Sequence, residues 1–99
     1  MSNDKYRISQ KALEDLDKIW IYTFKKWSKV QADRYYNLII EEIHFIADNF
    51  LTGKSAEQTR KNYRVTKIKS HLIFYRKDEN QTVEIIRILH ERMDIKRRL

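Results

Sequence analysis

Apolar positions recur along this chain with two different periods. Leu13, Leu16, Trp20, Thr23 and Trp27 return every three or four residues, and Ala12, Ile19 and Phe24 widen the stripe. That spacing predicts one buried face of an amphipathic helix. Ahead of it, Lys5-Tyr6-Arg7-Ile8 alternates and predicts a short first strand. Ser9 is placed as an N-cap, its hydroxyl available to an orphan N–H of the first turn. Ser28-Lys29-Val30-Gln31 has the form of a capping box and divides what would otherwise be one long helix. Beyond it, Ala32, Tyr36, Ile39, Ile43, Ile46 and Phe50 make a second stripe. Two helices joined this closely form a hairpin, stripe against stripe.

Residues 51–62 are polar and read as loop. The chain has no Pro and one Gly, Gly53, so the break between its halves falls near residues 50–55. After it the period changes to two. Residues 63–69, 71–77 and 82–90 read as strands, with turns at Lys69-Ser70 and at Asp78-Glu79-Asn80-Gln81. The predicted fold is α+β in the order β-α-α-β-β-β. A helical hairpin packs on one face of an antiparallel sheet, a short tail or helix follows, and residues 1–99 form one domain.

The strands are apolar on both faces. Leu72 and Phe74 point one way, Ile73 and Tyr75 the other; Val83, Ile85 and Leu89 alternate against Ile86 and Ile88. An antiparallel sheet usually leaves its free face polar, and one hairpin covers only one face. The second face therefore needs a cover: a foreign polypeptide, the chain's own tail or a second copy. Leu72, Phe74, Arg76, Ile86 and Ile88 are the candidate lining of a partner groove there.

Charge sharpens this picture. The formal net charge is +7, but residues 10–50 carry six Lys/Arg against seven Asp/Glu, and residues 51–99 carry thirteen against six. A one-sided positive field attracts polyanions or an acidic protein. The chain has no Cys, which excludes disulfides and thiolate chemistry. Met1-Ser2-Asn3-Asp4 lacks the apolar core of a signal peptide, and no apolar run approaches the roughly 20 residues that span a bilayer. The expectation is a cytoplasmic protein without membrane contact.

Candidate chemistry is sparse. His44, His71 and His90 have no metal-ligand spacing, so neither a metal nor another cofactor is expected. Neither Ser55 nor Ser70 sits in a nucleophile elbow. A metal-independent ribonuclease needs a general base, a general acid and cations for the developing phosphorane charge. Tyr75, Arg76, Arg87, His90 and Glu91 supply those types, although solvated strand faces commonly carry the same residues. No recognition helix, zinc finger or RNA-binding motif is evident. The last nine residues differ in kind, joining cations to the apolar anchors Met93, Ile95 and Leu99.

Several of these segments resemble one family in order and spacing over nearly the whole chain. They are Tyr6-Arg7-Ile8-Ser9, the helix Ala12…Asp15-Leu16…Ile19…Tyr22, the junction Trp27-Ser28-Lys29-Val30-Gln31-Ala32, and His71-Leu72-Ile73-Phe74-Tyr75-Arg76. The most specific is Ile86-Arg87-Ile88-Leu89-His90-Glu91-Arg92-Met93-Asp94. Together they resemble the RelE/ParE toxins of bacterial type II toxin–antitoxin systems, and the ParE branch in particular. The resemblance implies the β-α-α-β-β-β fold and a growth-inhibiting toxin neutralised by a ParD-like or other acidic antitoxin whose C-terminal segment wraps it. It implies two possible targets, and the leading one is DNA gyrase, inhibited by binding with no catalytic residue and no cutting by the toxin itself. The alternative is a RelE-like, ribosome-dependent mRNA endoribonuclease using Arg76, Arg87 and His90. Leu72 stands where ribonuclease members often carry a base, which favours gyrase; Ser28 stands where many relatives have Gly. On that reading Arg92, Met93, Lys96, Arg97 and Arg98 are the candidate target contacts.

Overall fold

A computed structural model describes residues 5–99. The signal-peptide reading of Met1 to Asp4 falls outside the described residues. Strand β1 (Tyr6–Ile8) leads into helices α1 (Gln10–Lys26) and α2 (Lys29–Asp48). A 3-10 turn at Phe50–Thr52 and the two-residue strand β2 (Lys54–Ser55) interrupt the segment expected to be loop. Strands β3 (Arg64–Ile68), β4 (His71–Lys77) and β5 (Val83–His90) follow, and a single turn of helix, α3 (Ile95–Arg98), ends the chain.

The sheet has the order β1-β5-β4-β3-β2. β2 to β5 pair antiparallel as the short turns require, whereas β1 pairs parallel to β5, Tyr6 opposite Val83 and Ile8 opposite Ile85. The hairpin is the crossover that parallel pairing demands. Both predicted caps form. Ser9 Oγ accepts the Ala12 N–H at 3.0 Å and donates to the Ile86 carbonyl at 2.8 Å, seating α1 on β5. Ser28 Oγ accepts the Gln31 N–H at 3.1 Å. Trp20 Nε1 donates to Asp33 at 2.9 Å and ties the two helices together.

The main core lies between hairpin and sheet: Leu16, Ile39, Ile43 and Ile46 pack on Ile73, Tyr75, Val83, Ile85 and Ile88. Tyr75 carries its hydroxyl into this core, donating to the Phe50 carbonyl at 2.8 Å and accepting the Gly53 N–H at 3.0 Å. A Cβ at Gly53 would lie inside van der Waals contact of that hydroxyl and 2.8 Å from the Val65 carbonyl oxygen, so only glycine fits.

Two details depart from strict periodicity. A bulge interrupts the β4–β5 ladder: Phe74 faces Arg87, Tyr75 faces Ile85, and Ile86 is the extra residue. One extra residue inverts the phase, so Ile88 joins Ile85 on the helix face and Leu89 moves to the opposite face. The helix stripe also changes character along α1. Ala12, Asp15 and Leu16 are buried, but Trp27 is 68% exposed. Tyr22 and Phe24 near the C-terminal end of α1 are exposed as well, so that end of the hairpin is not packed on the sheet.

Candidate functional site

The open end of β5 organises the functional surface. β1 stops opposite Ile85, leaving the last residues of β5 as a sheet edge. Asp15 on α1 closes that edge. Its Oδ2 accepts the Ile88 N–H at 2.9 Å and Arg87 Nε at 2.8 Å, and its Oδ1 accepts Arg87 Nη2 at 2.9 Å. The paired side chains are only 7% and 14% exposed. The Asp15 hydrogen bonds hold the Arg87 pKa above its ordinary value. The remaining nitrogen, Arg87 Nη1, donates to the Arg98 carbonyl at 2.8 Å. Arg87 is thus a clamp between α1, β5 and the tail.

The tail covers the second sheet face. Ile95 and Leu99 pack with Tyr63, Val65 and Leu72 over Ala56, Phe74 and Leu89. Arg60 donates to the Leu99 carbonyl at 2.6 Å and holds the last turn down. Of the three covers considered from sequence, the chain's own tail occupies the face in this structure. The five groove candidates do not share one surface. Leu72 is half-buried and Phe74 is 3% exposed beneath the tail; Ile86 is half-buried at the bulge; Ile88, 2% exposed, faces the helices. Arg76 lies at the far end of β4, paired with Glu84 at 3.1 Å.

The ribonuclease candidates are also separated. His90 pairs with His71 across the ladder, and Arg76 with Glu84. Five strand positions along β4 put Arg76 about 17 Å from His71. Arg87 is fully engaged, and Tyr75 is buried with both hydrogen bonds made. Among the described residues, no group of three or more His, Cys, Asp or Glu is placed to hold a metal ion.

The target-contact candidates fall on two sides. Lys96, Arg97 and Arg98 stand exposed on α3. Arg92 and Met93 instead line an open cleft of about 1100 Å³. The tip half of the hairpin forms one wall, with Tyr22, Trp27, Arg34 and Tyr35. The β3–β4 turn and the end of β5 form the other, with Lys69, His71 and His90. The imidazoles meet edge-on, centroids 5.2 Å apart. His71 Nδ1 lies 2.6 Å from the Tyr35 hydroxyl, and His90 Nδ1 accepts the Arg92 N–H at 3.1 Å. Burial first, and His90 second, pull the His71 pKa down to about 4. Sequence reasoning missed this cleft because Trp27 falls on the apolar stripe. The cluster Tyr22…Lys26-Trp27 was its one visible signal.

Residues 6–95 match the family model for the ParE toxin of the type II toxin–antitoxin system, parDE. The chain belongs to this family. It is 33% identical over 97 residues to toxin ParE1 of Mycobacterium tuberculosis, covering 98% of this chain and 99% of the relative. It is 38% identical over 94 residues to toxin ParE1 of Caulobacter vibrioides, covering 95% and 96%. A solved structure described as the chromosomal ParDE TA system from P. aeruginosa superposes with a TM-score of 0.74 at 18% identity, covering 89% of this chain and 98% of that one. The fold of this ParE-family chain, an N-terminal helical hairpin packed on a mostly antiparallel five-stranded sheet, is thus shared with that neighbour. No helix among its described residues is long and apolar enough to cross a membrane.

Proposed function

We propose that this chain is a growth-inhibiting toxin of the cytoplasm that binds DNA gyrase through its basic C-terminal segment and holds the enzyme in a DNA-cleaved state. The observation that carries this reading is the disposition of Arg87. All three of its donor nitrogens are engaged by Asp15 and by the Arg98 carbonyl, so it fastens the tail instead of meeting a phosphate. The tail then presents Lys96, Arg97 and Arg98 on a fixed turn of helix. Binding, not bond cleavage, suits such a surface.

The matching expectation is neutralisation by an acidic, ParD-like antitoxin. The basic surface favours an acidic partner electrostatically. An antitoxin segment that reaches Leu72 and Phe74 displaces α3 in doing so, because Ile95 and Leu99 lie over them. Neutralisation and loss of the target surface then become one event.

Purified gyrase supplies the test. At excess toxin, supercoiling should stop and a cleaved complex should accumulate. Unimpaired supercoiling with no trapped cleavage would sink the reading, and cut mRNA in arrested cells would favour a ribosome-dependent endoribonuclease.

A further inference from the structure

The geometry points to a second binding site, for single-stranded nucleic acid, in the cleft between the hairpin tip and the end of β5. Its rim carries Lys18, Lys26, Arg34, Lys69 and Arg92. All five are exposed, and among the described residues none of them forms an ion pair. Asp15, the carboxylate on the wall, is neutralised by Arg87. Glu91, beside Arg92, is held by Lys67 outside the lining. The cleft is therefore a concave surface with an excess of positive charge, which concentrates polyanions.

Charge alone would accept any polyanion; the rings narrow the choice. Tyr22 is 61% and Trp27 68% exposed on the same wall. Lys26 Nζ lies 5.5 Å from the Tyr22 centroid and 5.9 Å from that of Trp27, so cation and ring faces alternate. Aromatic faces interleaved with cations fit a strand whose bases are splayed and whose phosphates run alongside. A duplex hides its base faces by stacking, and the carboxylate side chains that make a peptide acidic offer no flat rings to match them. In the lining, His71 and His90 meet edge-on, and His71 Nδ1 lies against the Tyr35 hydroxyl. Burial keeps His71 uncharged near neutral pH, so it can serve a base or sugar edge as a neutral hydrogen-bonding group.

The site is separate from Lys96, Arg97 and Arg98 and stands whether or not gyrase is the target. On the gyrase reading it gives the toxin a place for a DNA strand exposed in the cleaved complex.

The test needs only the purified chain and a fluorescein-labelled oligothymidylate, followed by anisotropy without gyrase. Binding should weaken with salt, the slope of log K against log salt being about −2 to −3.5 for three to five phosphates. Trp27→Leu should weaken it about tenfold or more. The pair Arg34→Ala and Lys69→Ala should weaken it and flatten the salt slope. All these positions are exposed, and circular dichroism checks that the fold persists. Lys96→Ala with Arg97→Ala should leave oligonucleotide affinity within twofold. The proposal is overturned if the oligonucleotide fails to bind, if duplex or polyglutamate binds as tightly, or if tail and cleft variants lose equally.

Discussion

Arg87 and Asp15 form a two-pronged ion pair, 2.8 and 2.9 Å between their atoms, that joins β5 to α1 across 72 residues of sequence. The same carboxylate accepts the Ile88 N–H, so it closes the sheet edge that β1 leaves open. Removing either partner strands a charge where water is scarce. Asp15→Ala should therefore cost about 3–5 kcal/mol of unfolding free energy, and Arg87→Ala a similar amount. The double replacement Asp15→Leu with Arg87→Met should cost clearly less than the two single losses added together. Urea denaturation of the four proteins checks this; strict additivity would show that the pair is not coupled.

Arg87 also illustrates how far the sequence could be read. The helix pair, the caps at Ser9 and Ser28 and the three long strands follow from local spacing, and local spacing was preserved in the fold. The antiparallel order of those strands and the hairpin on one face were legible too; what escaped were details of register and of tertiary contact. The bulge at Ile86 inverts the end of β5, which no alternation rule reveals, and so Ile86 and Ile88 were placed together when they are not. Counting charge by halves also hid Lys18, Lys26 and Arg34, which a hairpin of net negative charge turns toward the cleft. The tail was legible as an interface because its anchors are apolar; that they anchor on the chain's own sheet was not.

The tail prediction separates docking from target contact. Arg97→Glu and Lys96→Glu change exposed side chains and should shift stability by no more than about 0.5 kcal/mol. They should nonetheless abolish gyrase inhibition in the supercoiling assay. Leu99→Ser together with Arg60→Ala instead loosens α3 from Phe74 and Leu89. Faster proteolysis at the C-terminus should accompany weaker inhibition in that variant. Full inhibition by the charge-reversed tail would remove it from the target surface.

Gly53 offers a prediction about the core. Its N–H reaches the Tyr75 hydroxyl at 3.0 Å, and an added methyl group would collide with that hydroxyl. Gly53→Ala should destabilise by about 1–3 kcal/mol, the range for overpacking a filled site. Tyr75→Phe removes the colliding oxygen and its two hydrogen bonds, at about 1–3 kcal/mol. The alanine should then cost less in the phenylalanine background than in the parent. Equal costs in both backgrounds, read from denaturant midpoints, would place the strain elsewhere, against the Val65 carbonyl.

His71 sets an acid limit on stability. Its pKa in the folded chain is about 4, against 6.5 for an unperturbed histidine; burial is the main cause, and the neighbouring His90 charge adds to it. Asp15 and Glu91 pull the other way without prevailing. The native state thus favours neutral His71. Above pH 6.5 both folded and unfolded chains hold it neutral, and its contribution is complete. Between pH 6.5 and 4 the unfolded chain takes up a proton that the native chain refuses, so stability falls with falling pH. Below about pH 4 the native chain protonates too and the loss levels off. Glu91, whose carboxyl is held low by Lys67, loses stability over acid pH in the same direction, so a reference protein is needed. His71→Gln supplies it. Between pH 7 and pH 4 the parent should lose about 1–2 kcal/mol more than the variant, the full shift being reduced by partial solvent screening. Parallel curves of unfolding free energy against pH would mean that His71 takes up its proton equally in both states.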